Sequence, residues 1–144
     1  MNEVNKELWA LIDEFRGKRE RFDLPEVIRV AKQREIKIDY SILRSLSRSL
    51  PNDEEYFFPE RVPNFISSVL KDFHPRAVLD PWANTGSLLS PIVDFIKPVR
   101  ALGITPVKSA LEIAQLLSKD ENITWKQGDP FNIIEDINEV APIK

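Results

Sequence analysis

A carboxylate followed by a glycine-containing turn is the part of this sequence best suited to chemistry. Residues 77–87 read Ala-Val-Leu-Asp-Pro-Trp-Ala-Asn-Thr-Gly-Ser. The apolar start suits a buried parallel strand, Asp80 stands where that strand emerges, and Pro81 ends the pairing because it has no N–H. Open α/β sheets bind their ligands at such strand ends. We therefore expect any chemistry of this chain at this strand end.

Outside this motif, the sequence has few histidine and cysteine residues, which bind metals. On spacing alone, a turn-stabilising or helix-capping role explains Asp80 as well as ligand contact does. The chain has one histidine, His74, and no cysteine. A metal needs several such ligands, so we expect no metal site and a structural role for His74 at a helix end.

Length and composition restrict the class of protein. With 144 residues and 42% hydrophobic content, the chain suits one compact domain, or a small helical leader fused to a partial domain. It lacks cysteines for disulfides, and its N-terminus does not combine a basic start with a long apolar run. These features favour a cytoplasmic protein without membrane contact.

Charge is distributed unevenly along the chain. Residues 1–50 contain eleven Lys and Arg against nine Asp and Glu, whereas residues 51–144 contain nine against fourteen. The most basic stretch, residues 16–21, is interrupted by Glu20. We interpret that stretch as a solvated turn between helices and not as a DNA site.

Apolar spacing predicts a helical leader over residues 1–50. In the first helix, apolar residues recur at helical spacing at Leu8, Leu11, Ile12 and Phe15. Asp23 can cap a second helix that has Pro25 in its first turn, and Asp39 can cap a third that Pro51 stops. The leader is therefore expected to be a small helical bundle.

The remaining residues, 51–144, are predicted to form a partial α/β domain. A fourth helix, from about residue 59 to 73, would bury Val62, Phe65, Ile66, Val69 and Leu70. Strands are then predicted at residues 77–79, 99–104 and 123–126, connected by helices at 86–97 and 108–118. This βαβαβ order is typical of one half of a doubly wound, Rossmann-like sheet with three parallel strands and right-handed crossovers.

The motif that starts at Asp80, Asp-Pro-Trp-Ala-Asn-Thr-Gly-Ser-Leu-Leu, resembles the first cofactor motif of adenine-N6 DNA methyltransferases, Asp-Pro-Ala-Cys-Gly-Ser-Gly-x-Leu. The likeness is closest to the modification subunits of type I restriction systems. Residues 57–62, Phe-Phe-Pro-Glu-Arg-Val, resemble the family's Phe-Thr-Pro-x-x-Val segment, and residues 8–17 resemble its helical leader. Residues 101–114 and 127–131 are similar to the second and third motifs, so the motifs follow the family's order.

The resemblance implies S-adenosylmethionine as cofactor. It also implies DNA and further restriction-modification subunits as partners of the parent protein. The cofactor-contacting residues that it implies are Phe58, Pro59, Asp80, Pro81, Ala83, Asn84, Gly86, Thr105, Asp129 and Phe131. Asp80 to Gly86 would surround the methionine end, and Asp129 would accept from the adenine amino group.

Four positions depart from the family pattern, and all of them face the implied cofactor. Phe58 replaces a Thr, Asn84 a glycine, and Thr105 an acid that accepts from the ribose hydroxyls, while Pro130 lacks an N–H. Losing one charge-assisted pair costs about 1.5–3 kcal/mol, so we expect weak cofactor binding. For Phe131, stacking on adenine and packing into the sheet edge are both open.

The sequence contains no Asn-Pro-Pro or Asp-Pro-Pro, the motif that the family uses on its target adenine. We therefore expect the N-terminal, cofactor-side part of a methyltransferase-like protein, inactive by itself. The alternative is a non-catalytic scaffold that keeps the fold with a degenerate cofactor site. In either case the first strand is expected at a sheet edge, where self-association is possible.

Overall fold

The computed structural model describes residues 3–16, 23–49, 56–120 and 122–132. Its helices are α1 (Glu3–Arg16), α2 (Leu24–Gln33), α3 (Tyr40–Ser49), α4 (Arg61–Leu70), α5 (Leu89–Ile96) and α6 (Lys108–Leu117). Its strands are β1 (Ala77–Asp80), β2 (Arg100–Thr105) and β3 (Ile123–Gln127), and short 3-10 helices span Lys71–Phe73 and Pro130–Asn132. In the described ranges, no helix is long and apolar enough to cross a lipid bilayer.

The two predicted caps of the leader are confirmed. Asp23 precedes α2 in an extended conformation, and its Oδ1 accepts from the Glu26 N–H at 3.3 Å. Asp39 precedes α3, and its Oδ1 accepts from the Ser41 N–H at 2.9 Å. Pro51, predicted to stop the third helix, lies outside the described residues.

The leader packs against the α/β part through α6. Buried apolar side chains of α1, α2 and α3 share one core with Phe57 and with Ile113 of α6. Polar contacts follow the same boundary, because Lys32 Nζ donates to the Leu116 carbonyl and Arg29 lies 3.9 Å from the Glu112 carboxylate. The leader is thus fixed to a helix that connects two strands of the sheet.

In the described residues, the sheet has three parallel strands in the order β1-β2-β3. Asp80 aligns with Gly103, and Gly103 with Trp125. The predicted βαβαβ fold, with a helical bundle before it and strand one at an edge, is confirmed. The first connecting helix starts at Leu89 and not at residue 86, because residues 81–88 form a turn, here called the β1 loop.

The predicted buried face of α4 was wrong in part. Phe65 is 70% exposed and Val69 is 48% exposed, whereas Pro63 and Ser67 are buried. The helix contacts α5, and Pro63 and Ser67 lie one turn apart on one side of α4. Because α4 turns the side of Pro63 and Ser67 inward, Phe65 and Val69 are left exposed.

Candidate functional site

Asp80 ends β1 with a half-satisfied carboxylate. Its Oδ1 accepts from the Trp82 N–H at 3.0 Å, which is the turn-stabilising role that the sequence left open. Its Oδ2 is buried and has no hydrogen-bond partner in the described part of the chain. Burial raises the pKa of the Asp80 carboxyl above its ordinary value, against the opposing effect of the Trp82 N–H. This oxygen therefore needs a donor or a cation.

The β1 loop has two residues with positive φ. Asn84 has φ 47° and Gly86 has φ 80°. Asn84 tolerates this conformation, as expected for its residue type. Its side chain is used within the fold, since Oδ1 accepts from the Tyr56 N–H at 2.7 Å.

Hydroxyl groups of the β1 loop hold the chain that precedes α4. Thr85 Oγ1 donates to the Tyr56 carbonyl, and Ser87 Oγ accepts from the Phe58 N–H at 2.9 Å. Between these two bonds, Phe57 is buried in the core of the leader. Phe58 and Pro59 are thereby placed beside the β1 loop, half-buried. The sequence interpretation did not predict these bonds, although the Asn-Thr-Gly-Ser run contains the polar side chains that make them.

Trp125 of β3 lies between the β1 loop and β2. A Cβ on Gly103 would lie 2.6 Å from the Trp125 ring, and a Cβ on Gly86 would lie 2.7 Å from it. Gly86 is therefore needed for a close approach to an indole as well as for its positive φ. The Trp125 Nε1 is buried without a partner among the described residues. Trp125 was not among the predicted site residues.

The carboxyl end of β2 is closed into a turn. Thr105, the residue at the implied ribose position, is 1% exposed, and its Oγ1 accepts from the Val107 N–H at 3.3 Å. Neighbouring loops are bonded to the same strand end, because the Ala83 N–H donates to the Ile104 carbonyl at 2.9 Å and the Gly128 N–H to the Thr105 carbonyl at 3.1 Å.

Two aromatic rings and a carboxylate lie after β3 and β1. Phe131 is 84% exposed and meets Trp82 edge to face, with ring centroids 5.8 Å apart. This exposure contradicts the alternative in which Phe131 packs into the sheet edge. The exposed Asp129 accepts from the Phe131 N–H through Oδ1 at 2.9 Å, which fixes the ring's backbone. Trp82 was not predicted as a site residue, because Phe131, the ring that it contacts, lies 49 residues further along the chain.

The structure brings the predicted residues to one end of the sheet. Pro81, Ala83 and the other loop residues follow β1, and the other strand ends bond to that loop or face it. A cavity of about 420 Å³ adjoins Phe58 and Ser87 of the β1 loop, and helical residues such as Pro63 and Pro91 also line it. Asp80 is not among its lining residues.

Comparisons with known proteins bear on the predicted resemblance. No protein-family model matches the sequence. The chain is 29% identical over 97 residues to the type II methyltransferase M.CvrRI of Paramecium bursaria Chlorella virus XZ-6E, which covers 63% of this chain and 26% of that protein. It also resembles the crystal structure of a methyltransferase from Geobacter sulfurreducens, with a TM-score of 0.47 and 16% identity over 89% of this chain and 60% of the other.

The chain thus spans about a quarter of its curated relative. Within that span, the similarity to a type II methyltransferase agrees with the methyltransferase resemblance that the motifs indicated. The chain is thus similar to a methyltransferase over 97 of its residues.

Proposed function

We propose that this chain is the cofactor-binding part of a DNA adenine-N6 methyltransferase-like protein, with residues 1–50 as a helical leader and 51–144 as half of the catalytic domain. The observation that supports this most directly is the buried, unpartnered Oδ2 of Asp80 at the end of β1. The methionine end of S-adenosylmethionine carries an ammonium group, and a charge-assisted hydrogen bond to Oδ2 would satisfy this oxygen.

The other groups fit the cofactor unequally. Exposed Asp129 offers an acceptor for the adenine amino group, and the exposed rings of Phe131 and Trp82 offer a face for stacking. The ribose end lacks an acid, and the hydroxyl of buried Thr105 already accepts from the Val107 N–H. We infer that the chain binds S-adenosylmethionine weakly and holds its methionine end better than its ribose.

The bound cofactor would supply a methyl group to the exocyclic amine of adenine, as in the implied parent reaction. The residues of this chain would bind and orient the cofactor. Its sequence has no Asn-Pro-Pro to hold the extruded base. We therefore propose that the isolated chain does not transfer methyl groups, and that DNA and other restriction-modification subunits are partners of the whole protein.

A second function, a non-catalytic scaffold, is favoured by the internal use of the β1 loop. Asn84 is an implied cofactor contact, and Ser87 follows another one, Gly86. The Asn84 side chain accepts from the Tyr56 N–H, and the Ser87 hydroxyl accepts from the Phe58 N–H. A loop that is occupied in this way can hold the fold together without a ligand. Among the described strands, β1 pairs with β2 alone, so self-association through its free edge belongs to this alternative.

Calorimetry with S-adenosylmethionine, comparing the chain with Asp80→Asn, tests the proposal. The Asn variant keeps the acceptor for the Trp82 N–H and removes the charge. We expect a dissociation constant of about 100 μM, near −5.5 kcal/mol, and roughly tenfold weaker binding by the variant. Adenosine, which lacks the methionine end, is the control ligand and should bind both proteins equally. Absence of binding at about 5 mM, or equal affinities for the full cofactor, would leave the scaffold function.

A further inference from the structure

A second concave site lies at the opposite end of the sheet. A cavity of about 590 Å³ is lined by the segments that lead into β1 and β2, including Lys71, His74, Arg76, Phe95, Lys97 and Val99. No acidic residue is among its lining residues. Arg76 immediately precedes β1, whereas Asp80 ends that strand, so the cavity and the candidate cofactor site are at opposite strand ends. In a chain with a net charge of −3, this is a local excess of positive charge.

Hydrogen bonds and unusual backbone angles define the backbone at these residues. The Val99 and Arg100 N–H groups donate to the Arg76 carbonyl at 2.8 and 3.1 Å. His74 and Lys97 follow helices with φ 45° and 56°, a left-handed conformation in which glycine is the usual residue. Both positions therefore carry a basic side chain at some conformational cost.

Helix dipoles explain only part of this arrangement. Lys97 caps the C-terminus of α5, where a cation is favourable in any protein. Arg76 caps no helix, since it is two residues beyond His74 and leads directly into β1. Neither Arg76 nor Lys97 belongs to an ion pair in the described ranges. The described carboxylates, including those of the nearby Asp72 and Asp94, form no salt bridge with either cation.

An exposed aromatic ring accompanies the cations. Phe95 is 58% exposed and lines the cavity, with Lys71 Nζ 5.9 Å from its ring centroid. Proteins that bind single-stranded nucleic acids combine a cationic groove for phosphates with aromatic rings for bases. A volume of 590 Å³ lies within the range of about 300–1,000 Å³ that small-molecule pockets span.

We propose that this cavity binds single-stranded nucleic acid, with Lys71, Arg76 and Lys97 contacting phosphates and Phe95 stacking on one base. The site is separate from the strand ends where the cofactor is proposed to bind. It therefore needs no cofactor, and it goes beyond the proposed function.

Fluorescence anisotropy with a labelled 12-nucleotide oligothymidine, measured between 50 and 200 mM salt, tests the proposal. The test variant is Lys71→Gln, Arg76→Gln and Lys97→Gln together. The control carries Lys6→Gln, Lys37→Gln and Lys108→Gln, which remove the same charge from exposed positions elsewhere. We expect the test variant to bind at least tenfold more weakly and the control within about threefold of the native chain. A plot of the logarithm of the association constant against the logarithm of the salt concentration should have a slope shallower by about 2 in the test variant. Each single-strand phosphate contact contributes about 0.7 to this slope, and the variant removes three cations.

The role of Phe95 has its own pair of variants. Phe95→Leu should weaken oligothymidine binding severalfold and leave binding of an abasic oligomer of equal length unchanged, whereas Phe65→Leu, on the exposed side of α4, should change neither. Far-ultraviolet circular dichroism verifies that all variants are folded. Four results would overturn the proposal: no binding at about 100 μM protein, equal losses in both triple variants, tighter binding of duplex than of single strand, or equal displacement by polyglutamate. An unchanged affinity of Phe95→Leu would overturn the base contact.

Discussion

Asp80 and Trp125 lie in one register row of the sheet, on either side of Gly103. Residues in such a row point to the same face. Each keeps one buried polar atom without a partner among the described residues, Oδ2 of Asp80 and Nε1 of Trp125. One is an acceptor and the other a donor, and an unsatisfied buried group costs about 1–3 kcal/mol. A ligand that bonds to either atom would recover that free energy, which is why the candidate site centres on this row.

The raised pKa of Asp80 predicts that this carboxyl group makes the free energy of unfolding depend on pH. Because the folded pKa lies above the unfolded one, the folded state holds more protons between the two values. Stability from this group is therefore complete below the unfolded pKa and is lost as pH rises through the folded pKa. We expect Asp80→Asn to be more stable than the native chain at pH 7, by on the order of 1 kcal/mol, with a smaller difference at pH 4.

Urea unfolding of both proteins at the two pH values measures this difference. Asp129→Asn is the matched control, because that carboxylate is exposed. If Asp80→Asn and Asp129→Asn change stability equally at both pH values, burial of the Asp80 carboxylate is not costly.

The contact between Gly103 and Trp125 predicts a coupled pair of substitutions. Gly103→Ala would place a Cβ 2.6 Å from the indole, and overpacking of this kind costs about 1–3 kcal/mol. Trp125→Leu shortens the side chain that causes the clash. The double variant, Gly103→Ala with Trp125→Leu, should therefore lose less stability than the two single variants lose in sum. The difference, which is the coupling free energy, should be at least about 0.5 kcal/mol.

Gly86→Ala, tested with and without Trp125→Leu, is the comparison for the Gly103 and Trp125 pair. Its Cβ would also meet Trp125, at 2.7 Å, but Gly86 has φ 80°, which Trp125→Leu does not relieve. Rescue by Trp125→Leu should therefore be smaller for Gly86→Ala than for Gly103→Ala in chemical denaturation. Equal rescue would mean that the indole alone sets the need for glycine at residue 86.

Ser87 is predicted to stabilise the chain before α4. Ser87→Ala removes the acceptor for the Phe58 N–H and should cost about 1–3 kcal/mol, the penalty of an unsatisfied donor in a partly buried position. Ser45→Ala is the control, because its exposed hydroxyl donates within α3 to the Ser41 carbonyl and its loss should be close to neutral. Thermal unfolding of the two variants compares these costs, and equal melting temperatures would contradict the role of Ser87.

Local interactions were predictable from the sequence, and distant ones were not. Asp23 and Asp39 cap helices two or three residues away, so residue type and apolar period were enough to place them. Trp125 reaches Gly86 only because β3 pairs with β2 in a particular register, which composition does not determine. Similarly, the Asn84 bond to Tyr56 crosses 28 residues.

The error on α4 has a related cause. Helical period defines which residues share a face but not which face meets a neighbour. The apolar side containing Phe65 was expected inside, yet Pro63 and Ser67 are the buried residues of α4. The choice depended on how α4 packs against α5, a contact between separate elements.

The free edge of β1 is predicted to cause self-association. In the described chain this strand pairs on one side only, and Ala77 and Leu79 are exposed on it. Such an edge offers unpaired N–H and C=O groups to a second strand, and lysine on an edge opposes this pairing. Sedimentation velocity from about 5 to 200 μM should show a mean mass that rises with concentration for the native chain. Ala77→Lys with Leu79→Lys should remain monomeric, whereas Phe65→Lys, which adds a cation to exposed α4, should behave as the native chain does. A native chain that stays monomeric at 200 μM would show that this edge does not drive assembly, and association lost in Phe65→Lys would move the interface to α4.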